Sequence, residues 1–175
     1  MGDESTRWAD LAARDAGPCP LPQACAVVVG PSERRLVLVV EDDAEDRERL
    51  VWAFEECTND VDLRFAGSAA EAADYLFQRG AFVDIAEERR PSLVLLEAEV
   101  DRGAGRELIR SMRASRRLRA TPILVCSRCS DPSAVQACYQ LGANSYFSKP
   151  DSLEGFRALI RILETYWLRR ASLPA

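Results

Sequence analysis

Short apolar runs alternate with longer amphipathic segments along most of this chain, and no other feature restricts its fold as strongly. Five runs rich in Val, Leu, Ile and Phe lie at residues 36–40, 61–66, 93–96, 123–126 and 145–147. Runs of this kind are typical of strands covered on both faces of a parallel sheet. Apolar residues at helical spacing follow each run, in 45–57, 69–79, 105–115, 132–141 and 153–168. The pattern predicts an open, doubly wound α/β sheet with helices on both faces.

The ends of several elements have their own signals. Ser68 and Asp131 stand where an N-cap is expected, and Gly80 and Gly142 stand where a helix is expected to stop. Residues 1–34 differ from the rest because prolines interrupt any regular pattern there. We therefore predict a poorly ordered extension over 1–34, one domain over 35–169 and a short tail over 170–175.

Composition excludes several kinds of function. The net charge is −5 and the chain contains no His, so Ser-His-Asp and Cys-His catalysis are excluded. The overall charge also lacks the basic excess that drives binding to phosphate backbones. An Arg-rich segment keeps nucleic-acid binding open as a minor alternative, although a solvated helix face explains it as well; its members are Arg106, Arg110, Arg113, Arg116, Arg117 and Arg119.

The apolar runs are too short to cross a bilayer, which takes about 20 residues. The N-terminus is acidic and polar rather than that of a secretory signal, so we expect a cytoplasmic protein with reduced thiols. Cys126 and Cys129 have the spacing of a redox pair. Two structural thiols explain that spacing equally well.

Chemically useful side chains follow the predicted strands. Glu41 and Asp42 follow the first strand, Glu97 the third, Ser127 the fourth and Lys149 the fifth. The carboxyl ends of parallel strands meet at one edge of a sheet, and ligands bind there. Hard oxygen ligands favour Mg²⁺, and a hydroxyl and an ammonium opposite the metal suit a phosphoryl group.

Lys149 is also the sole lysine, since the other 22 basic residues are Arg. A genome bias explains the excess of Arg but not the one position that retained an ammonium. A compact ammonium suits a phosphoryl oxygen or a carboxylate at a site where the wide, planar Arg fork is no substitute.

Four segments carry a family resemblance: RLVLVVEDDAEDRERL, PSLVLLEAEVDRGAGRELIR, TPILVCS and LGANSYFSKPDSLEGF. With them, residues 35–168 resemble the receiver domain of two-component response regulators, and most closely the single-domain regulators that partner bacterial phytochromes. The resemblance implies a flavodoxin-like (βα)5 fold with strand order 2-1-3-4-5. It also implies that a sensor histidine kinase or another signalling protein is the partner.

The resemblance assigns roles position by position. Glu97 stands where the family has its phosphoaccepting Asp, and Lys149-Pro150 where it has a cis peptide. The remaining matches are the acidic metal-binding pair Glu41 and Asp42 with the backbone of Glu99, the switch hydroxyl Ser127, the rotating aromatic Tyr146 and the invariant Lys149.

Glu97 is the departure that matters most, because one added methylene displaces the attacking oxygen by about 1 Å. Glu99 and Asp101 are expected to make the pocket more negative still. We therefore predict an atypical receiver that is not an enzyme, binds Mg²⁺ weakly or not at all, and acts through protein contacts. An active Mg²⁺-dependent phosphoacceptor and a scaffold without a phosphorelay role remain alternatives.

The predicted contact surface is the face formed by the fourth helix, the fifth strand and the fifth helix. Phe147, Tyr166 and Trp167 mark it, and the apolar length of the last helix predicts a homodimer. No output domain follows in this sequence, so we expect the output to pass through binding.

Overall fold

Five parallel strands alternate with five helices in a computed structural model that describes residues 34–58, 60–83 and 90–174. The predicted extension lies outside the described residues apart from Arg34. The predicted domain boundaries therefore stay predictions.

The strands form one sheet in the order β2-β1-β3-β4-β5, which confirms the predicted fold class and strand order. They are β1 (Arg35–Val40), β2 (Val61–Ala66), β3 (Leu93–Leu96), β4 (Ile123–Ser127) and β5 (Ser145–Ser148). The helices are α1 (Ala44–Cys57), α2 (Ala69–Leu76), α3 (Val100–Ala114), α4 (Pro132–Leu141) and α5 (Leu153–Leu163). A π-helical segment, Glu164–Leu168, extends α5.

Alternate residues of the central strands supply two separate cores, one on each face of the sheet. Leu38 and Val40 pack with side chains of α2 and α3, whereas Val37 and Val39 pack with side chains of α1 and α5. This period of two is the geometry of a strand, and it explains why the runs are apolar at consecutive positions. The helices on both faces are thus held by apolar burial.

The helix ends agree with the sequence signals in three of four places. The side chains of Ser68 and Asp131 accept hydrogen bonds from backbone N–H groups of the first turns of α2 and α4. Gly142 ends α4 in the left-handed conformation, with φ of 104°. Gly80 does not end α2, which stops at Leu76; it opens a 3-10 turn instead.

The regular part of α3 begins later than its first residue. Asp101, Arg102 and Gly103 have φ of 50°, 60° and 100°, so the chain turns sharply before it becomes helical. Gly105 then passes very close to the backbone that follows β3: a Cβ there would lie 2.6 Å from the Glu97 carbonyl oxygen. The loop that carries Glu97 therefore depends on a residue without a side chain.

We predict that Gly105→Ala lowers the free energy of unfolding by about 1–3 kcal/mol, because the loop after β3 must move away from the new methyl group. Urea denaturation measures the change. Gly67→Ala is the matched control: its Cβ would meet no atom closer than 3.5 Å, and an effect within about 0.5 kcal/mol is expected. Equal effects of the two substitutions would contradict the prediction.

Candidate functional site

The Lys149 ammonium lies at the centre of the carboxyl edge of the sheet. Its Nζ is 2.7 Å from Glu41 Oε2, 2.8 Å from Glu97 Oε2 and 3.2 Å from Asp46 Oδ2. All four side chains are buried. The structure thus brings together Lys149, Glu41 and Glu97 as the sequence predicted, and adds a third carboxylate.

The second oxygens of Glu41 and Glu97 are also engaged. Glu41 Oε1 accepts the backbone N–H of Asp43 at 3.2 Å, and Glu97 Oε1 accepts that of Glu99 at 2.9 Å. Each carboxylate is therefore held at both ends, by the ammonium and by the loop that follows its own strand. This fixes both side chains in one orientation.

Asp46 is completely buried in the first turn of α1. It contacts two arginines in addition to Lys149. Arg49 and Arg128 each place an Nη atom 2.9 Å from Asp46 Oδ1. The other Nη of Arg128 lies 2.7 Å from Asp46 Oδ2, so Arg128 contacts both oxygens of Asp46. Both contacts to Asp46 Oδ2, from Arg128 and from Lys149, are ion pairs without hydrogen-bond alignment. We call Glu41, Asp46, Glu97, Arg49, Arg128 and Lys149 the ion cluster.

The sequence interpretation missed Asp46, Arg49 and Arg128. A usable signal existed for Asp46, since it lies four residues before Leu50 and eight before Phe54, on the apolar face of the helix. A carboxylate on a buried face needs cationic partners. No such signal points to Arg128, which is simply the residue after Ser127.

Burial and charge act against each other in the ion cluster. Burial raises the pKa of Glu41, and the opposing effect of Lys149 does not cancel it. Burial also favours a raised pKa for Asp46, but Arg128 and Lys149 outweigh it and the pKa lies below its ordinary value. For Lys149, burial favours a lower pKa, yet Glu41 and Glu97 hold it above the ordinary value. The lysine is a permanent cation here.

The predicted metal ligands do not fit a divalent cation as they are arranged. Glu41 faces Lys149, the Glu99 carbonyl accepts the N–H of Gly103 at 3.2 Å, and Asp42 is exposed. Among the described residues no group of three His, Cys, Asp or Glu side chains is placed to hold one metal ion. Mg²⁺ needs several oxygens at about 2.1 Å in near-octahedral geometry.

Glu99 and Asp101 do not add charge to the pocket, contrary to expectation. The Glu99 carboxylate lies 3.4 Å from Arg106. Asp101 Oδ2 accepts the N–H of Ala69 at 2.7 Å, so it joins the loop after β3 to the start of α2. Both acids are paired with groups outside the ion cluster because the left-handed turn redirects this loop.

The two predicted switch residues lie next to the loop between β4 and α4. Ser127 is buried and its Oγ accepts the N–H of Cys129 at 3.3 Å. The Tyr146 hydroxyl donates to the Cys129 carbonyl at 2.6 Å, which joins β5 to the same loop. The expected cis bond at Lys149-Pro150 is wrong: the peptide is trans, the lower-energy form for most X-Pro bonds.

The Cys126 thiol is buried in the core, and burial raises its pKa to about 12. A thiol needs its thiolate form to react. Cys126 is therefore placed as a structural residue. Cys129 is half-buried and reduced.

Two of the three residues predicted for the contact surface, Phe147 and Trp167, are partly buried and pack against the core between the sheet and α1. The apolar face of α5 is buried there as well. The apolar length of α5 thus reflects the protein's own core. Tyr166 is 58% exposed and Ile162 56% exposed, so these two remain on the outer side.

Several of the arginines offered for nucleic-acid binding have partners within the protein. Arg113 donates to the carbonyls of Gly142 and Thr121, and Arg117 donates to that of Leu76. Arg106 and Arg110 contact acidic side chains of their own segment. No helix of the described residues is both long and apolar enough to span a membrane.

Comparisons with known proteins agree with this architecture. Response regulator Rcp1 of Synechocystis sp. is 26% identical over 141 residues, which cover 81% of this chain and 94% of that protein. A solved structure of the regulator RPA3017, in red light signalling of R. palustris, is 30% identical with a TM-score of 0.75 and covers 81% of this chain and 99% of its own.

The phosphorylated cyanobacterial phytochrome response regulator RcpA has a TM-score of 0.75 at 25% identity, over 81% of this chain and 99% of its own. The family model for the response regulator receiver domain matches residues 37–161. These residues include the whole strand-end site. The chain therefore belongs to the response regulator receiver family.

Proposed function

We propose that this chain is an atypical receiver that signals through protein contacts without a phosphoryl group at Glu97. The observation that carries the proposal is the contact of 2.8 Å between Glu97 Oε2 and Lys149 Nζ, together with the second bond from Glu97 Oε1 to the Glu99 N–H. The Glu97 carboxylate takes up one of the contacts of the Lys149 ammonium, and Glu41 and Asp46 take up others, so the ammonium is not free for a phosphoryl oxygen. The charged contact across the pocket is formed by the protein alone.

The same contacts make Glu97 a poor phosphoacceptor. Phosphoryl transfer to a carboxylate depends on an attacking oxygen aligned with the donor and the metal. Glu97 is 8% exposed and both its oxygens are engaged. A misplacement of about 1 Å costs about 10²-fold in rate. The chain is accordingly a binding protein rather than an enzyme.

The similarity to Rcp1 and to phytochrome response regulators supports a sensor kinase or photoreceptor-type signalling protein as the partner. The link from Tyr146 to the loop after Ser127 supports the α4-β5-α5 face as the surface that the partner reads. We place this partner in the cytoplasm, in keeping with the two-component family.

A small phosphodonor with Mg²⁺ tests the proposal directly. Intact-mass measurement of the wild-type protein after incubation with acetyl phosphate should show no added phosphoryl group, because Glu97 is held by Lys149 and by the backbone. A labile phosphoryl group that appears on the wild type and disappears in Glu97→Gln would show an active phosphoacceptor instead. Glu97→Asp, one methylene shorter, tests whether side-chain length is the cause.

A double-mutant cycle measures whether the Glu97–Lys149 ion pair contributes to stability. Glu97→Gln and Lys149→Met each break a buried pair, and we expect a coupling energy of about 1–3 kcal/mol in urea denaturation. The exposed pair Glu107 and Arg110 is the matched control, with about 0.5 kcal/mol or less expected. A coupling energy at Glu97 and Lys149 no larger than that of the control would favour a scaffold without a role for the pocket.

The proposed homodimer uses the exposed side of the last helix. Light scattering at high micromolar concentration should show a dimer, and Tyr166→Ser should weaken it because Tyr166 and Ile162 are exposed there. Trp52→Ser on α1, where Trp52 is 46% exposed, is the control and should leave the mass unchanged. A wild-type monomer under these conditions would refute the dimer.

A further inference from the structure

We infer that the Arg128 guanidinium closes the pocket over Lys149, so that the protein's own side chains balance its charge and the pocket takes no divalent cation. The inference rests on the proposed function and deepens it, because it names the contact that holds the pocket shut. It concerns Arg128 and Asp46, which the family resemblance did not assign.

Asp46 shows that Arg128 is the outer layer of the ion cluster. Its Oδ2 atom lies 2.7 Å from an Arg128 Nη and 3.2 Å from Lys149 Nζ. The Lys149 side chain is 2% exposed, whereas the Arg128 side chain is 49% exposed. The arginine is therefore the exposed partner of Asp46, and the ammonium is its buried partner.

Arg128 also contacts two neighbouring segments at the carboxyl edge of the sheet. It leaves the loop after β4, contacts both oxygens of Asp46 on α1, and has its Nε 3.9 Å from Asp151 on the loop after β5. With one hydrogen bond to Oδ1 and one ion pair to Oδ2, the planar guanidinium is more fixed in orientation than the point contact of a lysine. Three segments of the carboxyl edge are thus joined by one side chain.

The six charges of the ion cluster balance one another, and the exposed Glu45 and Asp151 contact Arg49 and Arg128 from outside it. Three carboxylates, Glu41, Asp46 and Glu97, meet three cations, Arg49, Arg128 and Lys149. Buried charges are stable only when they are paired. A divalent cation placed among them would add uncompensated positive charge beside an ammonium that is already held by every carboxylate.

The pocket is also connected to the outer surface of the protein. The Tyr146 hydroxyl donates a hydrogen bond to the carbonyl of Cys129, which is the residue after Arg128. A shift of this loop would change the Arg128 contact and the Tyr146 contact together. Opening of the Arg128–Asp46 pair is therefore the step that would link the pocket to a partner on the Tyr146 side.

The single lysine makes the test specific. An amine-reactive acetylating reagent has two primary amines to react with, the N-terminus and Lys149. Cleavage after Arg places Lys149 in the fragment 129–157 of the wild type, and in 120–157 once Arg128 is replaced, in both cases apart from the N-terminal fragment. Mass spectrometry of the two fragments over time then gives the rate at Lys149 with the N-terminal amine as internal reference.

With the N-terminal amine as internal reference, we expect Lys149 of the folded wild type to react at least about 100-fold more slowly than Lys149 of the urea-unfolded chain, because reaction requires local opening of the pocket. Arg128→Ala should raise the Lys149 rate about tenfold or more. Arg49→Ala is the matched control, because it removes one positive charge beside Asp46 but leaves Arg128 in place. It should change the rate by less than about threefold.

Magnesium gives the second readout. Mg²⁺ at about 10 mM should leave the wild-type Lys149 rate unchanged, because a bound ion would have to displace the ammonium. A Mg²⁺-dependent rise in that rate, a folded wild-type Lys149 as reactive as Lys149 of the unfolded chain, or equal effects of Arg128→Ala and Arg49→Ala would each overturn the inference.

Circular dichroism checks that Arg128→Ala is folded. If it is not, Arg128→Gln takes its place: it adds no second side-chain amine, it loses the charged contacts to Asp46, and it should also raise the Lys149 rate. These readouts are independent of phosphorylation. A phosphorylated Glu97 with an unreactive Lys149 would refute the proposed function alone, and a reactive Lys149 without phosphorylation would refute the Arg128 closure alone.

Discussion

The ion pairs of the Lys149 ammonium are the interaction on which the arrangement of the carboxyl edge of the sheet depends. Carboxylates about 4 Å apart repel each other by about 4 kcal/mol at an effective dielectric constant near 20. Glu41, Asp46 and Glu97 converge on one buried point, so their repulsion requires a cation there. Lys149 supplies it from the end of β5, and the ends of β1, β3 and β5 are thereby joined to the first turn of α1.

This arrangement gives the Glu97 side chain a structural role. Its carboxylate meets the lysine at 2.8 Å and also accepts the N–H of Glu99. The contact joins the end of β3 to the end of β5 through the protein's own side chains. Arg128 then adds a second cationic contact to Asp46 from the loop after β4.

Much of the site followed from the order of strands and the residues at their ends. Glu41, Glu97, Ser127 and Lys149 were predicted to meet because parallel strands end at one edge, and the sheet order confirms the topology behind that prediction. One prediction that failed concerns the loop after β3. Asp101 was expected to face the pocket but accepts a bond from the start of α2, because three left-handed residues redirect the chain.

The sequence by itself determined the elements, their order and the strand ends, because these depend on the local period of apolar residues. It also singled out Lys149 by composition alone. Only the tertiary structure decided which charges pair. Asp46 and Arg128 are 82 residues apart and become partners because α1 and the loop after β4 meet at one edge. Charge pairing acts through distances in space, and a linear pattern does not contain them.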